Sequence, residues 1–190
     1  MTGDDESDES LIAQYARGDT TAFERLYRRH EMRVWRYLHR AMRDRAIAEE
    51  LLQEVWFGVA RDAPRYAPSA RFTTWLFTIA HNRLIDAIRA RREQVSLDVL
   101  GYDAEGVVQQ LTTDPSTSPL AAAVARDEAA VLSQALAQLP REQREALLLQ
   151  LEGELSVEEI AAITGSSFET TKSRLRYART KLRELLAEHV

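Results

Sequence analysis

A chain of 190 residues, 45% hydrophobic and 29% charged, has the length for one ordinary domain or two small ones and the balance to build a core, which excludes disorder throughout. Absence of cysteine excludes disulfides, thiolate metal sites and cysteine nucleophiles, and no run reaches the roughly eighteen apolar residues that a membrane-spanning helix needs. The formal charge of −5 argues weakly against nucleic acid, but a polyanion meets a local patch rather than the sum. The opening "MTGDDESDES" is acidic and polar, the reverse of the basic-then-apolar order of a secretory signal, so a cytoplasmic protein without membrane insertion is expected.

Seven Gly and five Pro leave few turns, and the periodicity between them is helical, so the fold expected is all-α. Asp19 can cap a helix that runs to about Met42, with Phe23, Tyr27, Val34, Leu38 and Ala41 recurring along one face. A second amphipathic segment, "AIAEELLQEVWFGVAR", sets Ile47, Leu51, Val55 and Val59 on one side and Glu50, Gln53 and Glu54 on another, and should stop before Pro64. "DAPRYAPSAR" is a loop bearing Arg65, Tyr66 and Arg71. From Phe72 to Arg92 helix resumes, with Phe72, Trp75 and Ile79 on one side and Phe77, Leu84 and Ile88 on the other, the pattern of a helix sandwiched between neighbours. Residues 93–119 mix Gly, Ser, Thr, Pro and acids without a period and read as a flexible linker. Helix returns from about Leu120 to Pro140, and again in "REQREALLLQLEG", ended by Gly153. The expectation is two small helical domains, 1–92 and 120–190, joined by that linker.

Ser156 followed by Glu159 forms a capping box opening a short helix that buries Val157, Ile160 and Ile163. Gly165 supplies the left-handed exit, and Ser166 or Ser167 caps the next helix, giving a helix-turn-helix. At 3.6 residues per turn that helix docks Phe168, Thr171, Leu175, Ala178 and Leu182 and turns Glu169, Thr170, Ser173, Arg174, Arg176 and Tyr177 outward, with Lys172 and Arg179 on the flanks. Thr170 to Arg183 contains six Lys/Arg and no acid. A solvated helix ordinarily mixes signs to gain Glu-to-Lys pairs, whereas a basic face about 10 to 12 Å across suits a major groove.

With these residues in view the chain resembles the bacterial sigma factors of the extracytoplasmic-function (ECF) group. "LPREQREALLLQLEGELSVEEIAAITGSSFETTKSRLRYARTKLRELL" resembles the family's minus-thirty-five-reading domain. "DTTAFERLYRRH", "AEELLQEVWFGVAR" and "FTTWLFTIAHNRLIDAIRARR" follow the order of its other domain. The resemblance implies a non-catalytic subunit that binds core RNA polymerase, directs it to promoters and helps open them, with no cofactor. It implies that Glu50, Gln53 and Glu54 face the polymerase, and that Arg65, Tyr66, Arg71, Trp75, Asn82 and Arg83 meet the minus-ten element, with Asn82 at a base flipped from the non-template strand. Thr170, Lys172, Ser173, Arg174, Arg176, Tyr177 and Arg179 would read duplex at minus thirty-five. An anti-sigma factor is the further partner implied, with residues 93–119 permitting the domains to rearrange. Large aromatics such as Phe72 and Trp75 suit a core as well as a base-stacking surface.

Two other classes are weaker. His30, His39, His81 and His189 have no partner at metal-ligand spacing, and there is neither a phosphate-cradling glycine loop nor a nucleophile elbow, so neither metal nor catalytic residues are expected. A stand-alone helix-turn-helix regulator of palindromic DNA would need a sensor or dimer seam in Leu11–Arg92, where the basic and aromatic segment Phe72–Arg92 instead lies.

Overall fold

The computed structural model describes residues 6–67, 70–98 and 130–187, and among them there is helix and no strand. The first helix, α1 (Asp8–Ala16), starts within the acidic opening stretch that gave no helical expectation. Ser7 caps it by accepting from the Ser10 N–H, and its acids suit the positive end of a helix. Those same acids tie it down: Glu6 pairs with Arg25 at 2.8 Å, and Asp8 reaches Arg29 at 2.9 Å and His30 at 2.6 Å. Leu11 and Ile12 are fully buried beneath.

α2 (Thr20–Met42) begins at the expected cap, Asp19, whose carboxylate accepts from the Thr21 and Ala22 N–H groups. Its buried face is Ala22, Leu26, His30, Val34, Tyr37 and Leu38, while Phe23, Tyr27 and Ala41 are only partly covered. The face is turned from the expected one because α2 packs against α1, α3, α4 and a helix of the C-terminal half at once. α3 (Arg45–Asp62) is capped by Asp44 and stops before Pro64 as expected, but a 3₁₀ turn, Ala63–Arg65, follows where a plain loop was read. Trp56 is buried against Phe23 and Tyr27, at centroid distances of 5.7 and 5.0 Å.

α4 (Phe72–Asp98) passes the expected boundary at Arg92 and continues into the stretch read as linker. It is sandwiched as its two apolar sides require, with Phe72, Leu76, Phe77, Ala80 and Leu84 buried among α2, α3 and the C-terminal helices. The rest of the expected linker, and the start of the second helical block at 120–129, lie outside the described residues.

The C-terminal half contains α5, helical over residues 130–137, then α6 (Arg141–Gly153), α7 (Val157–Thr164) and α8 (Phe168–Ala187). Gly153 is the last residue of α6 rather than its stop. The left-handed position belongs to Glu154, at φ 52°. What Gly153 supplies is space, since a Cβ there would lie 2.8 Å from Leu155 Cγ and 3.3 Å from Phe77 Cγ. The two helical domains thus touch, and buried residues of α6 and α7 share one apolar cluster with those of α2, α3 and α4.

Candidate nucleic-acid and polymerase interfaces

The turn between α7 and α8 is over-determined. Ser156 Oγ accepts from the Glu159 N–H at 3.2 Å while Glu159 Oε2 accepts from the Ser156 N–H at 2.8 Å, which completes the capping box. Gly165 takes φ +63° to leave α7, and a Cβ there would meet nothing within 4 Å, so glycine serves the dihedral alone. Of the two candidate caps Ser167 is the one used, accepting from the Thr170 N–H at 3.1 Å. Ser166 instead bonds the Thr171 hydroxyl at 2.7 Å and Thr164 at 2.9 Å, pinning α8 to the end of α7.

That register buries Thr171, Leu175 and Ala178 and leaves Thr170, Lys172, Arg176, Tyr177 and Arg179 exposed, with Ser173 and Arg174 half-buried. Phe168, expected on the docked side, is 41% exposed, its ring 5.8 Å from the Lys172 ammonium at the start of the helix. Among the described residues no carboxylate comes within ion-pair distance of Lys172, Arg174, Arg176 or Arg179, whereas Lys181 pairs with Glu184 at 3.6 Å. The Arg176 guanidinium lies over the Tyr177 ring at 5.0 Å, and Arg179 donates to the neutral Gln150 side-chain carbonyl, so both keep an uncompensated charge. Lys172, Arg176, Arg179 and Arg183 rim a shallow groove of about 340 Å³ over Val157 and Leu175.

A second surface forms where the 3₁₀ turn meets α4. The Tyr66 hydroxyl donates to the Ala70 carbonyl at 2.8 Å, and its ring lies 5.1 Å from Trp75, which in turn lies 6.0 Å from Phe72. Phe72 is core, whereas Trp75 and Tyr66 are half-buried and Arg65, Arg71 and Asn82 exposed. The N-terminus of α4 is held by α1, whose Glu9 carboxylate accepts from the Phe72 N–H at 2.8 Å. Trp75, Ile79 and Asn82 fall on one side of α4, and Arg83 beside them is half-buried, 3.9 Å from Glu54 of α3.

Glu50, Gln53 and Glu54 form an exposed strip on α3, and the Glu54–Arg83 contact joins it to the α4 surface. Sequence reading missed Phe57, which is 73% exposed on that strip. It follows Gln53 by four residues and Glu54 by three, so an apolar residue interrupting the polar face was the available signal. With Glu54, Gly58, Arg61 and Arg83 it lines a concavity of about 400 Å³. No group of three or more His, Asp or Glu side chains arranged for a metal occurs among the described residues.

Sigma-70 region 2 matches residues 26–94 and Sigma-70 region 4 matches residues 129–182. RNA polymerase sigma factor CarQ of Myxococcus xanthus is 35% identical over 180 residues, covering 93% of this chain and 96% of the relative. The chain belongs to the ECF group of RNA polymerase sigma factors. The ECF sigma factor SigK of Mycobacterium tuberculosis strain H37Rv is 30% identical over 180 residues, covering 94% of this chain and 92% of SigK. Among solved structures, CnrH in complex with the cytosolic domain of CnrY superposes with a TM-score of 0.69 at 23% identity, covering 97% of this chain and 100% of CnrH. RpoE of Bartonella quintana, in complex with the anti-sigma factor NepR, gives the same TM-score at 24% identity over 87% and 96% of the two chains. This sigma factor is therefore a transcription initiation factor that directs RNA polymerase to promoters, and a stand-alone regulator of palindromic DNA is not favoured. Region 2 spans most of α2 with α3 and α4, region 4 spans α5 to α8, and α1 precedes both matches.

Proposed function

We propose that this sigma factor, without catalysis of its own and acting in the cytoplasm, divides its work between the two halves, 1–92 with the rest of α4 and 120–190. Glu50, Gln53 and Glu54, with the exposed Phe57 among them, face core polymerase. Arg65, Tyr66, Arg71, Trp75, Asn82 and Arg83 receive the minus-ten element, Asn82 taking a base extruded from the non-template strand. The half-buried Trp75–Tyr66 pair offers a π surface beside Arg65 and Arg71, which is the combination of stacking and charge that single strands require. Thr170, Lys172, Ser173, Arg174, Arg176, Tyr177 and Arg179 read duplex at minus thirty-five. The chief support is that, among the described residues, Lys172, Arg174, Arg176 and Arg179 of α8 have no carboxylate within ion-pair distance, in a protein whose formal charge is −5.

Run-off transcription with core polymerase on a cognate promoter tests the division. Arg174→Ala and Arg176→Ala should each weaken promoter binding by about 1–3 kcal/mol, roughly five- to 150-fold, while co-purification with polymerase is unchanged. Failure of these variants to co-purify would overturn the assignment of roles. Asn82→Ala should slow strand opening, read by a fluorescent base at the melted position, more than it slows recruitment, because unstacking a base costs a few kcal/mol that only a fitted pocket offsets. We also propose an anti-sigma partner, in keeping with the complexes of CnrH and RpoE to which the fold is similar.

A further inference from the structure

The first turn of α4 is completed by a residue from another helix. The Arg71 carbonyl accepts from the Trp75 N–H at 3.2 Å, which puts Arg71 at the cap position, yet a guanidinium has only donors and cannot satisfy the free N–H groups of a first turn. Glu9, 63 positions earlier, supplies the acceptor: its carboxylate takes the Phe72 N–H at 2.8 Å and sets a negative charge at the positive end of α4. Glu9 is itself held from behind. Asp8 beside it reaches Arg29 and His30 of α2, Arg29 also donates to the Glu6 carbonyl at 2.6 Å, and Glu6 pairs with Arg25. The His30 ring in turn lies 5.4 Å from the Phe72 ring. α1 also contacts the 3₁₀ turn, where burial, and after it the charges of Glu9 and Asp8, raise the pKa of the Tyr66 hydroxyl above its ordinary value. One helix thus braces both ends of the loop that bears Arg65, Tyr66 and Arg71.

We propose that Glu9 is a positioning residue of the minus-ten surface: by fixing where α4 begins it holds Arg71, Tyr66 and Trp75 in one frame, and it serves strand opening without touching DNA. Its purpose rests on the minus-ten reading proposed above, and it lies ahead of both family matches.

The composition of the loop creates the need. Between Ala63 and Arg71 lie two prolines, which donate no backbone hydrogen bond, and two arginines, whose charges repel each other and oppose the α4 dipole. The ends of this stretch are tied by the Tyr66 hydroxyl on the Ala70 carbonyl and by the Tyr66 ring against Trp75. Both ties depend on the first turn of α4, and the ends of a helix are where it frays. The buried Phe72 ring anchors that turn from below, but an anchored ring does not fix the direction of the backbone before it. The Glu9 carboxylate does, because a hydrogen bond to the first N–H is directional. Displacement by about 1 Å is enough to spoil a fitted site, and the cost of unstacking a base is offset only in a fitted pocket. Recruitment through α8 and the strip on α3 does not use this turn, so loss of Glu9 separates the two steps.

Glu9→Ala, Glu9→Gln and Ile12→Val separate position from stability. In holoenzyme assembled with core polymerase on a cognate promoter, a fluorescent base at the melted position reads opening, and binding before melting reads recruitment. Glu9→Ala should slow opening about fivefold or more, the worth of a lost cap read as a rate, with recruitment unchanged. Glu9→Gln keeps an amide oxygen for the Phe72 N–H and should recover most of the opening rate. Ile12→Val removes one buried methylene from the same helix, should lower the melting temperature by the same few degrees as Glu9→Ala, and should leave opening unchanged. In the isolated full chain, hydrogen exchange at the Phe72 amide should accelerate about tenfold or more in Glu9→Ala, while exchange at Leu84, in the middle of α4, should not change. Equal slowing of opening by Glu9→Ala and Ile12→Val at matched stability would overturn the proposal, since Glu9 would then serve the fold alone. So would an unchanged Phe72 amide. Normal opening in Glu9→Ala beside slowed opening in Asn82→Ala would overturn the positioning role alone, whereas normal opening in both would overturn the minus-ten reading on which it rests.

Discussion

Gly58 lies on α3 where it crosses α4, and a Cβ built there falls 3.2 Å from Ile79 Cγ2. Alanine would gain up to about 1 kcal/mol of helix propensity but must push α4 away, and overpacking of this kind costs about 1–3 kcal/mol. Gly58→Ala should therefore lower the melting temperature by a few degrees, and Ile79→Leu in the same chain should recover part of the loss by removing the β-branch methyl that makes the contact. A gain in melting temperature from Gly58→Ala alone would show that the helices can separate freely. Residues whose role is local are legible in the sequence: Asp19, Ser156 and Gly165, and Glu159 in its capping duty, act through neighbours within four positions, and all four do there what their types predict. Gly153 is not, because a glycine can serve φ or space. Here space decides, while Glu154 bears the left-handed strain.

At the level of elements, α2, α3, α4, α6, α7 and α8 are visible in the sequence because each has a long apolar period or a strong cap. α1 is not. It offers only Leu11, Ile12, Ala13 and Tyr15 against a run of acids, and its place is set by partners on α2 that no local pattern reveals. Burial disfavours the Asp8 carboxylate, but hydrogen bonds from His30 and Arg29 outweigh it and hold its pKa below the ordinary 3.8. A folded-state pKa lowered in this way contributes stability that is complete above 3.8 and is lost as pH falls through the lower value. Asp8→Asn should thus destabilise the fold at neutral pH by about 1–3 kcal/mol, through a guanidinium and an imidazole left without their carboxylate. It should also flatten the acid limb of a urea-denaturation series. An acid limb as steep as the parent's would mean that α1 is not held by this contact. The consequence reaches the minus-ten surface, since Glu9 of the same helix holds the first N–H of α4.

For the molecule as a whole, the separate domains can be read from the sequence, but the seam between them cannot. Glu152 and Arg36 are 116 positions apart, and no periodicity connects residues across that distance. The seam has its own acid dependence. Burial raises the Glu159 pKa, but hydrogen bonds from the Thr74 hydroxyl and from Ser156, with the charge of Arg71, bring it below the ordinary 4.5. Thr74 and Arg71 lie on the N-terminal half and Ser156 on the C-terminal one, so part of what holds this pKa down is a contact between the halves. That contribution to stability is complete above pH 4.5 and is lost as pH falls through the lowered value. Glu159→Gln separates the two duties of the residue, because glutamine can still complete the capping box but brings no charge to Arg71. In a urea-denaturation series, stability should decline as pH drops below 4.5, and it should do so less steeply in Glu159→Gln. Identical pH curves for the two chains would show that Glu159 caps α7 and takes no part in holding the halves together.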